Sequence, residues 1–247
     1  MDKTLKNRNG FAMAVVMALL PILLGAMFFA FSTISFVQAD LKLKHVCRSE
    51  GIKGQEEVAP LLKELLGLNP KALKLKAREI QLKIQIAAAE LAENHYQAIK
   101  LGQELVKVQE ERRVLDEKQK QLIKQANISL RNSYQSAQRK LDYENKYLQS
   151  LDSLLKSSLQ VKSSRIPELA VRPDYTDTAP TYSTTPQFDE EQSLVQQWQY
   201  SLAVVKPLQP FLQGDFKFQK SCAVTLKKES NQWVAKIRKD KSWSKWL

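Results

Sequence analysis

The sequence has little of what most enzyme sites are built from. Histidine occurs at His45 and His95 and cysteine at Cys47 and Cys222, two of each in 247 residues. That excludes a Cys/His-rich metal site. Glycine occurs 7 times and proline 9 times, which excludes collagen-like and Pro/Gly low-complexity chains. The sequence has no Gly-rich phosphate loop, no GxSxG and no HExxH. His95 is the one plausible general base, and its neighbours Glu93, Asn94 and Tyr96 read as a solvated surface. We expect no enzyme activity, no cofactor and no metal. Two further absences organise the chain: 11–39 carries no charge, and 71–164 holds no proline and only Gly102 among glycines.

What is present is unevenly spread. Lys and Arg total 38 against 26 Asp and Glu, a net charge of +12, while the apolar residues crowd one end. The leader MDKTLKNRNG carries Lys3, Lys6 and Arg8, and the uncharged run FAMAVVMALLPILLGAMFFAFSTISFVQA follows. As a helix that run spans roughly 43 Å at 1.5 Å per residue, more than the ~30 Å of a hydrocarbon core. Pro21 and Gly25 inside it are tolerated in membrane helices. Residues 11–39 are therefore expected to be a transmembrane helix behind a cytoplasmic leader, 1–10. Lys42, Lys44, Arg48 and Lys53 follow the segment, so local charge gives no clean orientation. The short N-tail and the long remainder favour the N-terminus inside and the bulk outside the cytoplasmic membrane. Three fates of the segment are open: a permanent anchor, removal after Ala39, or a cut between Gly10 and Phe11.

The third fate follows from a likeness. A basic leader, Gly10, Phe11 and a long apolar helix with a proline in its first half resemble class III and type IV prepilins. The stretch Asn9-Gly10-Phe11-Ala12-Met13-Ala14-Val15-Val16, with Leu20-Pro21 beyond it, is similar to the N-terminus of tight-adherence (Tad/Flp) pilus accessory proteins. The resemblance implies that Gly10 and Phe11 form a processing junction and that the apolar helix packs with others in a membrane or at a filament base. Major pilins carry Glu where this chain has Val15, so the implied role is an accessory or minor, pseudopilin-like one in pilus assembly. The other reading is a single-pass coiled-coil adaptor of a secretion or division complex in the envelope.

Residues 40–69 read as a junction: Gly51 and Gly54 interrupt helix, and a short helix covers Glu56 to Leu66, with Pro60 near its start. Asn69-Pro70 reads as a helix start, Asn capping and Pro in the first turn. A long helical, coiled-coil-like region over 70–165 follows. Its expected seam contains Leu73, Ile80, Ile84, Leu91, Leu101, Leu105, Leu141, Leu148, Leu151 and Leu155 at alternating spacings of three and four. A helix this long cannot bury its seam alone; it takes a partner, another copy included, or folds back. Glu93–Gly102 and the charged run Gln109–Arg113 are the two candidate fold-back sites, and the charged run otherwise reads as a solvated face. The region 41–165 holds 24 basic and 15 acidic residues, scattered without a basic face or interleaved aromatics. Nucleic acid is therefore not an expected partner, whereas other helices and membrane lipid are.

Residues 166–193, with Pro167, Pro173, Pro180 and Pro186 and many Ser and Thr, read as a linker. A small β-containing unit is expected over 194–247, with a hairpin formed by the alternating runs from Phe216 to Leu226 and Trp233 to Arg238. Residues 217–247 hold nine basic and two acidic groups and three of the four tryptophans. Such a mixture suits a membrane interface or a cover for the β-unit. An even pair of cysteines outside the cytoplasm suggests a Cys47–Cys222 disulfide. The expected class is mainly α: an N-terminal transmembrane helix, a helical hairpin region and a small C-terminal β-hairpin unit.

Overall fold

The computed structural model describes residues 3–151, 156–162, 166–175, 177–203, 216–230 and 232–238. Within these, the side chains of 3–12, 14, 28–29, 32–33, 35–36, 145, 147–151, 156–162, 200–203 and 216–218 lie outside the description. The chain is mainly helical, with a long helix and a small C-terminal β-sheet. Helix α1 covers Lys3–Gly67, α2 Asn69–Leu91 and α3 His95–Leu151. Strand β1 is Lys156–Lys162, β2 Val171–Pro173 and β3 Tyr182–Thr184; helix α4 is Phe188–Glu191; β4 is Leu194–Ala203, β5 Phe216–Glu229 and β6 Gln232–Arg238. The chain divides into two compact units, Met1–His45 and Val46–Leu247.

The first unit is the N-terminal part of α1. Among its described side chains Met13, Met17, Ile22, Leu23, Leu24, Met27 and Phe31 are exposed. Among the described residues no helix is long and apolar enough to cross a membrane.

In the second unit α1 continues without a break from Val46 to Gly67. The two glycines expected to interrupt it serve close packing instead. A Cβ on Gly51 would stand 2.7 Å from Val224 Cγ2 on β5, and one on Gly54 would collide with Ser133 on α3. Glycine costs a helix about 1 kcal/mol relative to alanine; here it lets a strand and a helix lie close against α1. Pro60 also lies inside the helix.

Helices α2 and α3 fold back on each other at Ala92–Asn94, where the seam weakens. Glu93 takes a left-handed φ of 54°. Asn94 caps α3, its Oδ1 accepting the Gln97 amide at 3.1 Å. The helical region ends before the expected 165: Lys156–Lys162 is strand β1, paired antiparallel to β4 from Lys156↔Ala203 to Lys162↔Gln197. The four-stranded sheet has the order β1-β4-β5-β6, all antiparallel. Its β5–β6 hairpin turns beside Ser230, at φ 43°.

Residues 166–193, expected as a linker, are folded onto the helices in their described part. Strands β2 and β3 pair from Val171↔Thr184 to Pro173↔Tyr182. Leu169, Ala170, Tyr182 and Phe188 join Val58, Leu62 and Leu65 of α1, Leu122, Ala126 and Leu130 of α3 and Leu226 of β5 in one apolar core. Phe188 packs on Trp233 with ring centroids 5.1 Å apart. Trp233 therefore serves the core, Trp198 is fully buried, and Trp243 and Trp246 lie outside the described residues.

Candidate docking surface

The hairpin explains what its polar residues do. On α3 the side chains turned inward follow Val108, Arg112, Leu115, Gln119, Leu122 and Ala126, at alternating spacings of four and three. This is a coiled-coil seam in which Arg112 and Gln119 take core positions. Arg112 was part of the run expected to be solvated. It is only 5% exposed and bonds Glu79 of α2 and, across the loop, Asp177 at 2.9 Å and the Thr178 carbonyl. Gln119 donates to the Pro180 carbonyl at 2.9 Å. The Asp177 carboxyl is held below its ordinary range chiefly by the Arg112 hydrogen bond. Burial pushes the Glu79 carboxyl up, but hydrogen bonds from Lys83 and Arg112 and their charges prevail, and it also ends lowered. Both acids are therefore held as carboxylates.

The same device recurs along the loop. Asn69 is the first residue of α2, not its side-chain cap: its Nδ2 donates to the Tyr182 carbonyl at 2.7 Å and its Oδ1 accepts the Tyr182 amide at 2.9 Å. Asn127 Oδ1 accepts the Leu169 amide at 2.7 Å. Gln55 and Gln192, both fully buried, bond each other at 3.1 Å, and Gln55 also donates to the Gln192 carbonyl at 2.9 Å. Side-chain amides thus supply the backbone partners that a loop on a helical surface lacks. Sequence reading gave Asn69 a different role, as a helix cap, and missed the others. For Arg112 and Gln119 the signal was a polar residue at each second seam position.

Cys47 on α1 and Cys222 on β5 stand at disulfide distance, with S–S 2.23 Å and Cα–Cα 6.4 Å, across a sequence separation of 175. Both are buried. The spacing of the Cα atoms lies in the range of protein disulfides.

The remaining seam residues separate into two groups. Leu101 and Leu105 of α3 are half-buried and Leu141 is buried. Leu148 and Leu151 are helical with side chains outside the description, and Leu155 lies outside the described residues. On α2 the hairpin does not use the expected stripe. It buries Ala72, Leu75, Glu79, Leu82 and Ala89, with Ile86 half-buried. Leu73, Ile80, Ile84 and Leu91 are 55%, 50%, 65% and 88% exposed. The reason is phase. Residues 72, 75, 79, 82, 86 and 89 step by three and four, and so do 73, 77, 80, 84, 87 and 91. At 3.6 residues per turn the two stripes lie about 150° apart around the helix. Helix α2 is bifacial: one seam closes the hairpin, and the other faces outward. Gly10 and Phe11 are helical residues of α1, the Phe11 side chain being outside the description.

A groove of about 480 Å³ lies beside the loop, lined by Asp116, Lys120, Tyr175, Asp177 and Tyr182 among others. Its acids are engaged: Asp116 with Lys120 and the Ala179 amide, Asp177 with Arg112 and the Thr178 amide. Lys76 covers the Tyr175 ring at 3.4 Å. The outward seam of α2 is exposed at Leu73, Ile80, Ile84 and Leu91. Comparison with family models, curated proteins and solved structures found no match to this chain.

Proposed function

We propose that this protein is a membrane-anchored assembly component, structural and not catalytic, in which residues 11–39 sit in a bilayer or among other apolar helices and the folded unit docks a partner. The observation that carries the reading is the ring of exposed apolar side chains on α1, Met17, Ile22, Leu23, Leu24 and Met27 with Phe31 beyond. A helix apolar on all sides has no stable place in water, and the uncharged run in sequence extends from Phe11 to Ala39. The leader, Gly10 and Phe11 support a Tad-type, pseudopilin-like accessory role in pilus assembly in the bacterial inner membrane, N-terminus inside. A buried cysteine pair at bonding distance supports a folded unit outside the cytoplasm. The second reading, an envelope adaptor with an uncleaved anchor, is favoured by the outward helical seam alone.

The mature N-terminus decides between them. Mass spectrometry of the protein from its host's membrane fraction is expected to show a chain starting at Phe11. A start at Met1 would replace the pilus role with the adaptor. A start at Asp40 would remove the apolar helix and sink both.

A further inference from the structure

Gln196 of β4 is fully buried, yet neither end of its side-chain amide has a hydrogen-bond partner among the described residues. Two other buried glutamines of the same unit are paired: Gln55 and Gln192 bond each other, and Gln192 Oε1 accepts the Ala170 amide at 3.0 Å. Gln196 stands opposite Cys222 in the β4–β5 ladder. Directly opposed residues put their side chains on one face of a sheet, with Cβ atoms about 4.5–5.5 Å apart. Cys222 is in turn joined to Cys47 of α1, and both residues are buried. The unmet amide therefore lies beside a disulfide. A disulfide has no hydrogen to donate and its sulfurs accept weakly, whereas a thiol both donates and accepts. A buried amide without partners is a penalty on the fold, and reduction of its neighbour relieves it.

We infer that Cys47–Cys222 is a reversible redox link, biased toward its dithiol form by Gln196. The reducing partner is a dithiol. Its thiolate attacks one sulfur, the S–S bond breaks and a mixed disulfide forms; its second thiol then displaces the protein sulfur. In sum two electrons and two protons pass to the protein, Cys47 and Cys222 end as S–H, and the reductant ends as a disulfide. In the dithiol form the Cys222 S–H donates to Gln196 Oε1, and Gln196 Nε2 donates to a sulfur. Reduction cuts the covalent tie between β5 and α1 but leaves Val224 seated on Gly51, and its carbonyl still accepts from Gln55 at 3.3 Å. The unit is loosened, not unfolded. The inference goes beyond the assembly role above and rests on neither its partner nor its N-terminus.

The test equilibrates the full-length chain, in phosphatidylcholine nanodiscs without oxygen, against graded ratios of reduced to oxidised dithiothreitol. Alkylation of the freed thiols then reads the reduced fraction. Gln196→Leu and Gln196→Met remove the amide at similar volume. Each should raise the ratio needed for half-reduction about fivefold, the worth of one ordinary hydrogen bond, and should leave the melting temperature of the oxidised form equal or higher. The infrared S–H stretch of the reduced parent should carry a hydrogen-bonded component that Gln196→Met removes; this reading needs no comparison of stabilities. A ratio that stays put or falls in both variants would overturn the inference. A lower melting temperature of the oxidised variants with an unmoved ratio would do the same, giving Gln196 a packing role only. A parent that stays oxidised in reduced dithiothreitol alone, or one whose reduced form lacks the bonded S–H component, would also overturn it.

Discussion

Arg112 of α3 donates to Glu79 of α2 across the hairpin seam, and both side chains are buried. A buried ion pair adds little net stability over an apolar isostere, whereas breaking one leaves a charge without a partner. Arg112→Ala should therefore cost about 3–5 kcal/mol, read as a drop in denaturant midpoint. The double change Arg112→Met with Glu79→Met should recover most of that loss. If it does not, the pair is not what the seam depends on there.

The same pair sets an acid dependence. Asp177, held mainly by the Arg112 hydrogen bond, and Glu79, where bonds from Lys83 and Arg112 override burial, both have lowered carboxyl values in the fold. The unfolded chain then takes up protons first as pH falls. Their contribution is complete above the ordinary carboxylate range and disappears as pH drops through it toward the folded values. Denaturant midpoints should stay level from neutrality to about pH 5 and fall below that. The Met/Met double variant should show a shallower acid limb, and an unchanged limb would remove these two groups from the explanation.

Gly51 and Gly54 make a steric prediction that runs against helix propensity. An exposed helical Gly→Ala gains up to about 1 kcal/mol. Gly51→Ala should instead destabilise by roughly 1–3 kcal/mol, because the new methyl meets Val224. Adding Val224→Ala should relieve part of the clash, a coupling that a double-mutant cycle measures directly.

Asn69 replaces a β-partner for Tyr182. Asn69→Ala leaves the Tyr182 amide and carbonyl without those two bonds and should cost about 1–3 kcal/mol. Limited proteolysis should then cut first within 174–187. Cleavage elsewhere, with 174–187 still protected, would show that the loop is held by its apolar contacts alone.

Opening the Cys47–Cys222 link releases a large loop. Cys47→Ser with Cys222→Ser should lower stability by about 2–5 kcal/mol, and reductant should lower the parent to the same level. On a non-reducing gel the parent should run faster than the double variant.

Much of the fold was legible because it depends on period and punctuation. The 3-4 spacing from Leu115 to Leu141 marked α3, and the alternation from Phe216 to Leu226 marked the hairpin strand. Reading failed where two physical signals overlapped. On α2 both seams have the same period, and the more hydrophobic one, with Leu73, Ile80 and Ile84, is the one left outside. Only the partner's position, set by Leu115, Gln119 and Arg112, selects Leu75, Glu79 and Leu82. Gly51 and Gly54 carry no local sign that their missing Cβ atoms admit Val224 and Ser133. The loop over 166–193 looked like a linker because its prolines and hydroxyls carry no helical period, although Pro167, Pro180, Thr181, Thr185 and Ser193 are buried in the fold; what orders it lies far away in sequence, in Gln55, Asn69, Arg112, Gln119 and Asn127.

The distance in sequence between the two cysteines has a temporal meaning. A chain made from its N-terminus exposes Cys47 while the 175 residues up to Cys222 are still to come, a wait of roughly 10–35 s at 5–20 residues per second. With two cysteines, these 247 residues have no scrambled intramolecular isomer to fall into. Their one covalent error is to join a neighbouring chain, so correct pairing is a race between synthesis of the last strands and collision with another unfinished copy.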